Sequence, residues 1–358
     1  MRKWNFCAGP AVISEEVISE VRAELLDYKN SGTSIMEMSH RSETYSNIAY
    51  EAKEDLIKLL HIPKNYDVLF LQGGATHQFS MIPMNFKNLT GTADYITTGA
   101  WTKKAFIEGS KIMDLKNIYS SEDNNFTSAP NIEDLRISEN ASYVHYCPNE
   151  TIHGNAIHEI PNINKPLIAD MSSSILSKPI DVKNFSLIYA GAQKNIGPAG
   201  LTLVIIDKDF MLTGNEALPN ILKYSEHAKS DSMLNTPPTF PWYVAGKVFK
   251  WMQKMGGLDY FKKQNELKAY KLYEFIDNSH FYSNPVEINN RSIMNIPFIL
   301  SDSKLESTFL SSSEENGLLN LKGHRSVGGM RASIYNAMPL EGVEELIKFM
   351  DYFEKKYG

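Results

Sequence analysis

The sequence predicts an α/β protein: a large domain with a mainly parallel sheet flanked by helices, then a smaller α+β C-terminal domain. Short apolar runs alternate with helical stretches between residues 67 and 206. Most of those runs lack strict polar–apolar alternation, as expected of strands buried on both faces. After about residue 240 the texture changes to long amphipathic helices around one strand candidate.

The elements follow in order. Residues 14–29 read as a helix, because Ser14 can cap it, Glu15 and Glu16 favour its positive end, and Val17, Val21 and Leu25 recur at helical spacing. Strand candidates lie at 67–72, 93–97, 143–146, 166–170, 187–190 and 201–206. Their alternation with helical stretches is the pattern of a parallel sheet. Val244, Val248, Met252 and Met255 mark a helix that Gly256 and Gly257 can end. A second helix runs over about 258–276, a strand over about 293–300, and a final helix carries Leu340, Val343, Ile347, Met350 and Phe353. The run 311–317 reads as a polar loop. We divide the chain into an N-terminal arm at 1–15, a large domain at 16–255 and a small domain at 256–358. The arm can pack on either domain, and we assign it to the small one.

Composition excludes several classes. The chain has 358 residues and a formal charge of −6, so no global field draws it to nucleic acid or an anionic membrane. Affinity for an anionic ligand must come from a local cluster, and the scarce arginines, at 2, 22, 41, 136, 291, 325 and 331, are the first place to look. Two cysteines, Cys7 and Cys147, cannot build a disulfide scaffold and suit a reducing compartment. The N-terminal residues carry no signal-peptide-like apolar core, and no apolar run approaches the ~20 residues of a membrane span. The expectation is a cytoplasmic protein.

Several constellations carry chemistry. Residues 72–77 (QGGATH) follow a strand and open a helix, where glycines and successive N–H groups can cradle a phosphate. They match neither a dinucleotide nor a P-loop fingerprint. Asp170 closes a strand at the edge where open α/β sheets bind ligands. Lys194 sits among small apolar residues between two strands, where burial lowers its pKa and favours imine formation with a carbonyl compound. Each has a bland alternative alone, a glycine turn or a loop ion pair. Together they suit pyridoxal 5'-phosphate, which needs a phosphate cradle, a Schiff-base lysine and a carboxylate at its ring nitrogen. Trp101, in 98–102 (TGAWT), is placed to plate the ring.

Longer segments make the resemblance specific. Residues 146–154 (YCPNETIHG), 190–200 (AGAQKNIGPAG) and 322–339 (KGHRSVGGMRASIYNAMP) resemble class V aminotransferases of the fold-type I pyridoxal-phosphate enzymes. The segments 5–11 (NFCAGPA), 38–41 (MSHR) and 235–239 (NTPPT) fit as well. The resemblance implies that Lys194 holds the cofactor covalently, Asp170 partners the pyridine nitrogen, Trp101 stacks on the ring and Thr151 bonds its hydroxyl. It places Ala75, Thr76 and Gln193 at the phosphate. Asn235 and Thr236 are implied to reach the neighbouring subunit's cofactor, making a homodimer with shared active sites.

The members most resembled exchange an amino group between L-glutamate and 3-phosphohydroxypyruvate in serine biosynthesis, and some also act on 4-phosphohydroxy-L-threonine in pyridoxine biosynthesis. Arg331 is then the candidate clamp for the α-carboxylate. His40, Arg41, His324 and Arg325 are candidates for the phosphate and for the side-chain carboxylate of glutamate. A cysteine desulfurase needs a late nucleophilic cysteine, and none follows Cys147. A glyoxylate-type aminotransferase has less need of His324 and Arg325, and a regulatory cofactor-binding module has no need of substrate arginines. His145, Cys147 and His153 lack zinc-like spacing and read as packing, while His61, His227 and His280 read as surface or boundary residues.

Overall fold

The computed structural model describes residues 2–358, which leaves the first residue of the arm outside the described residues. Its central sheet contains β1 (Tyr66–Leu71), β2 (Thr92–Thr97), β3 (Asp114–Ser120), β4 (Val144–Tyr146), β5 (Leu167–Asp170), β6 (Leu187–Gly191) and β7 (Thr202–Asp207). Their spatial order is β1-β7-β6-β5-β4-β2-β3. All run in one direction except β7, which is antiparallel to both β1 and β6. The near-continuous apolar runs are explained by two covered faces. Val68, Phe70, Ile188, Ala190, Leu203 and Ile205 face one apolar cluster, while Leu69, Leu71, Leu187, Tyr189, Val204 and Ile206 face the other. Alternate side chains of a strand point to opposite faces, so each residue of such a strand must be apolar.

The edge strand β3 has no counterpart in the sequence reading. Among the described residues it pairs only with β2, and its residues Asp114, Lys116, Asn117 and Ser120 are exposed. A half-exposed edge strand carries too little apolar signal to stand out, and its charged side chains guard against pairing with another chain. The first helix is also shorter than its periodicity suggests, Glu15–Glu24. Lys29 and Asn30 adopt left-handed backbone angles, and a short turn over Tyr28–Asn30 buries Tyr28 edge-on against Tyr243, with ring centroids 5.9 Å apart. The polar run 311–317 is corrected too, since most of it belongs to the helix Glu306–Glu315. Phe309 and Ser313 of that helix are buried, and the Ser311 and Ser313 hydroxyls donate to carbonyls within it, so serine-rich sequence is held in a helix by one apolar anchor.

A third apolar cluster lies beyond the sheet. It gathers Phe6, Leu272, Phe298, Ala332, Phe349 and Phe353 around an antiparallel sheet of Tyr282–Ser283, Asn295–Leu300 and Met330–Ser333. The strand Trp4–Asn5 pairs with Leu318–Leu319 and so carries Phe6 into this cluster. The helix Gly257–Asn278 serves two of the clusters, with Leu258 and Phe261 on one face of the sheet and Ala269, Leu272 and Ile276 in the third cluster. Among the described residues no helix is long and apolar enough to cross a membrane.

His227 is more buried than a boundary residue would be, and His145, read as packing, lies in the core. His227 is 6 % exposed, with Nε2 on the Ile221 carbonyl. His145 on β4 is 1 % exposed, bonds the Tyr189 hydroxyl at 2.8 Å and stacks on Tyr95 at 4.6 Å. Burial pushes the His145 pKa down to about 3. The unfolded chain therefore binds more protons than the folded one between about pH 3 and 6.5, and stability falls as pH drops through that window. At pH 5 this one residue should cost roughly 2 kcal/mol relative to pH 7. His145→Gln keeps a partner for Tyr189 but cannot charge. Urea unfolding at pH 7 and pH 5 should show the variant losing less stability on acidification, by about that amount; an equal loss in both proteins contradicts the assignment.

Candidate active site

The same-direction strands end at one edge of the sheet, and β1, β2, β5 and β6 lead there into the segments that carry candidate residues. After β1, Gly73 takes φ +90° and turns the chain into the helix Gly74–Phe86. A Cβ at Gly73 would also stand 2.6 Å from His77, so the position excludes side chains on two counts. This helix has no side-chain cap and no acidic residue in its first turn. Its first N–H groups, at Ala75 and Thr76, are thus left to an anion. Thr76 and Gln72 are exposed, so the turn opens outward.

β2 leads through Gly99 into the helix Ala100–Gly109, which carries Trp101. This helix also lacks a first-turn acid of its own, and Glu150 supplies one from another segment. Glu150 is fully buried and accepts from the Trp101 N–H at 3.1 Å, the Thr102 N–H at 2.8 Å and the Thr102 hydroxyl at 2.7 Å. Burial pushes its carboxyl up, and those donors oppose the shift. Glu150 was not singled out in the sequence. Its only signal there is its place beside Thr151, because the helix end that it caps lies 48 residues away.

β5 ends on Asp170, 5 % exposed, whose Oδ1 accepts the Ser172 N–H at 2.9 Å. No ion pair among the described residues balances this carboxylate, and burial raises its pKa while Ser172 and Lys194 hold it down. Lys194 lies in the connection from β6 to β7. Its Nζ donates to Thr151 Oγ1 at 2.6 Å and stands 6.0 Å from the Trp101 ring centroid. Burial lowers the Lys194 pKa, opposed by Asp170, Cys147 and Glu150. Gln193 packs against Gly191, where a Cβ would come within 2.6 Å of its Oε1. Its carbonyl accepts the Ala11 N–H at 2.8 Å, so the N-terminal arm crosses this connection.

Arg331 enters from the small antiparallel sheet. One of its terminal nitrogens donates to the Thr151 carbonyl at 3.3 Å, while its buried Nε has no partner. His324 and Arg325 occupy the turn before it, with Arg325 exposed and His324 Nδ1 2.7 Å from the Ser326 hydroxyl. His153 joins this group. Burial and the nearby charges of His324 and Arg331 push its pKa down to about 4, and its ring leans on Phe126 at 4.7 Å.

Other candidates are not joined to this centre within one chain. His40 and Arg41 lie in the stretch before the helix Glu43–Leu60, Arg41 exposed, and no hydrogen bond or ion pair among the described residues connects either side chain to Lys194. Asn235 and Thr236 are exposed as well, and the Thr236 carbonyl accepts from Gln72 at 2.9 Å. Among the described residues no three His, Cys, Asp or Glu side chains converge in a way that could hold a metal ion.

The donor set suits a flat, phosphorylated aldehyde with a protonatable ring nitrogen. An unpaired buried carboxylate calls for a cation, an uncapped helix end calls for an anion, and a lysine of lowered pKa calls for a carbonyl carbon.

Comparison with known proteins agrees with that chemistry. The family described as Aminotransferase class-V matches residues 3–346. The phosphoserine aminotransferase of Acinetobacter baylyi is 54% identical over 100% of both chains, and that of Hahella chejuensis 52% identical over 98% of both. Among solved structures, the phosphoserine aminotransferase of Bacillus circulans subsp. alkalophilus superposes with a TM-score of 0.98 at 46% identity, covering 100% of this chain and 99% of that one. A PLP-bound phosphoserine aminotransferase from Trichomonas vaginalis gives 0.94 at 39% identity, covering 98% and 100%.

The dependence of Trp101 on Glu150 is open to measurement. A Cβ at Gly99 would stand 2.2 Å from the Glu150 side chain, although φ there is ordinary extended backbone. Gly99→Ala must therefore push Glu150 off the helix end. Glu150→Gln keeps the shape but loses the charge-assisted bonds, which should cost about 1.5–3 kcal/mol. Both variants should unfold at lower urea concentration and shift the tryptophan emission. Wild-type stability in both contradicts the capping role.

Proposed function

Because the chain belongs to the class-V aminotransferase family, we propose that it moves an amino group reversibly from L-glutamate to 3-phosphohydroxypyruvate, giving O-phospho-L-serine and 2-oxoglutarate. The observation that carries this reading is the meeting of Lys194, Asp170 and Arg331 around the Thr151–Glu150 segment, in a chain alike over its full length to phosphoserine aminotransferases. Pyridoxal 5'-phosphate, one per subunit, is the cofactor of this reading. Lys194 Nζ would hold it covalently, Asp170 would take its ring nitrogen, Trp101 would cover a ring face, and Thr151 would take the ring hydroxyl. The phosphate would go to Ala75, Thr76 and Gln193. When bound, it supplies an electrophilic carbonyl and an electron-withdrawing ring.

The chain's own residues do the rest. Lys194 Nζ would take the proton from the substrate Cα, and burial favours the neutral amine that this requires. Asp170, buried and with no ion pair among the described residues, would be stabilised as a carboxylate by a ring N–H. Arg331, with a buried Nε still free, orients the substrate α-carboxylate. His324 and Arg325 take the phosphate or, in the other half-reaction, the second carboxylate of glutamate. His40 and Arg41 also belong to this anion set. Since nothing in one chain joins them to Lys194, the reading needs a homodimer, in which exposed Asn235 and Thr236 are lent to the neighbouring subunit's phosphate site. We divide the work between a large unit, 16–255, that holds the cofactor and a small unit, 256–358, that brings the arginines, with the arm at 1–15 on the small unit. The separation of the sheet's two apolar clusters from the C-terminal one, and the burial of Phe6 in the latter, support that division.

Activity with glutamate and 3-phosphohydroxypyruvate should far exceed activity with glutamate and pyruvate; equal rates contradict the phosphate pocket. Arg325→Ala should raise KM for the phosphorylated substrate by roughly 10- to 100-fold while leaving the visible absorbance of the cofactor intact. Lys194→Ala should abolish that absorbance and lower turnover by at least about 10²–10⁴-fold. Wild-type transamination by Lys194→Ala would sink the lysine assignment.

A further inference from the structure

The strongest feature that the proposed reaction does not use is a buried polar junction between the small antiparallel sheet and the segment of Glu150 and Thr151. Asn149 is buried, and Asn295 fully so. The Asn149 amide donates to Asn295 Oδ1 at 2.9 Å and to Ser173 Oγ at 2.8 Å, while its oxygen accepts from the Ser292 hydroxyl. The Asn295 amide donates to Ser333 Oγ at 2.9 Å and to the Tyr335 hydroxyl at 3.0 Å. Both N–H groups and the oxygen of each side chain are therefore engaged. Two apolar side chains would fill the same space without desolvating two amides, so packing alone does not call for asparagine here. Apolar contacts are non-directional, whereas such bonds hold in one alignment only.

The junction joins segments that the proposed function needs in fixed relation. Asn149 directly precedes Glu150 and Thr151. Ser173 follows Asp170 closely, in the turn that Asp170 itself holds through the Ser172 N–H. Asn295 opens a strand that pairs antiparallel with Met330–Ser333, which sets Asn295 opposite Ser333 and Pro297 opposite Arg331. Backbone contacts close the same boundary: the Ser292 N–H donates to the Gly154 carbonyl at 2.9 Å, and a Cβ at Gly154 would stand 2.3 Å from Pro297. Beyond Ser333 the chain is held by buried Lys268, which donates to the carbonyls of Ile334, Tyr335 and Met338, each at 2.9 Å. The strand of Arg331 is thus fixed within its own sheet, and the asparagine pair links that sheet to the segments of Thr151 and Asp170.

We propose that Asn149 and Asn295 form a positioning pair that sets the reach of Arg331 towards the substrate α-carboxylate. The inference rests on the function proposed above, in which Arg331 orients that carboxylate. No bond in the junction uses a side chain assigned to cofactor or substrate, so neither competes with it for a partner. Loss of either amide would let the sheet shift against Thr151 and Asp170, and reaction geometry is sensitive to displacements of about 1 Å.

The test uses the holoenzyme. Asn295→Ala and Asn149→Ala should each raise KM about tenfold for L-glutamate and for 3-phosphohydroxypyruvate, because both carry the α-carboxylate. Hydroxylamine has no carboxylate, and it should discharge the visible absorbance of the variants at the wild-type rate. The double variant should raise KM no further than the larger single change, as expected of two residues acting through one contact. A merely structural pair would lower the melting temperature and the active fraction, hence kcat, with wild-type KM; that result overturns the proposal. So does a hydroxylamine rate changed as much as KM, which would place the damage at the cofactor. If an alanine variant does not fold, Asn295→Ser takes its place under the same KM criterion. A wild-type holoenzyme inactive with this substrate pair overturns the function itself and this inference with it, whereas an active one with unchanged variant KM values overturns the inference alone.

Discussion

Thr151 is the point on which the site depends. Its hydroxyl takes the Lys194 ammonium and its carbonyl takes the Arg331 guanidinium, so one residue sets the spacing between the proposed proton-transfer group and the carboxylate clamp. Neither partner is near it in sequence. Lys194 arrives from the connection between β6 and β7, and Arg331 from a separate antiparallel sheet with its own apolar cluster. Thr151 is buried and is followed by a tight segment in which Gly154 approaches Pro297, with no room for a Cβ between them. A side chain fixed in this way can hold two mobile cations in register, and a rigid support of that kind is what precise positioning requires.

The same segment balances the electrostatics. A chain with net charge −6 places Arg331, Arg325, His324 and His153 together, with Lys194 facing the carboxylates of Asp170 and Glu150. Glu150 spends its charge on a helix end rather than on a cation, and Asp170, which accepts the Ser172 N–H, forms no ion pair among the described residues. His324 and His153 both have pKa values lowered by burial and by Arg331, so the pocket does not accumulate positive charge before an anion arrives. A dianionic substrate entering such a site would bring the compensating charge itself.

Legibility in the sequence followed burial. Strands covered on both faces were visible as apolar runs and matched the observed β1, β2 and β4 to β7 within a residue or two at each end. The edge strand β3 left no such trace because half of it faces water. The helix Glu306–Glu315 was hidden by its serines, whose hydroxyls it satisfies internally. In the site, Lys194 and Asp170 stood out because a charged residue among small apolar ones is anomalous in any sequence. Glu150, His153 and Lys268 did not, since each derives its character from residues 48 to 178 positions away.

The sequence by itself determined the class of fold, the order in which cradle, ring plate, carboxylate and lysine appear, and the scarcity of arginines that made a local anion site necessary. These are local properties: the pleat and the helix turn set a period of two or 3.6 residues, and that period is written directly in residue order. Only the tertiary structure decided which groups share a boundary. It brought Glu150 under the Trp101 helix, set His153 beside Arg331, and closed Lys268 around three carbonyls of a distant turn. The reason is desolvation. A carboxylate or amine acquires its shifted pKa and its obligatory partners only when remote segments remove water from it, and no local pattern records that event.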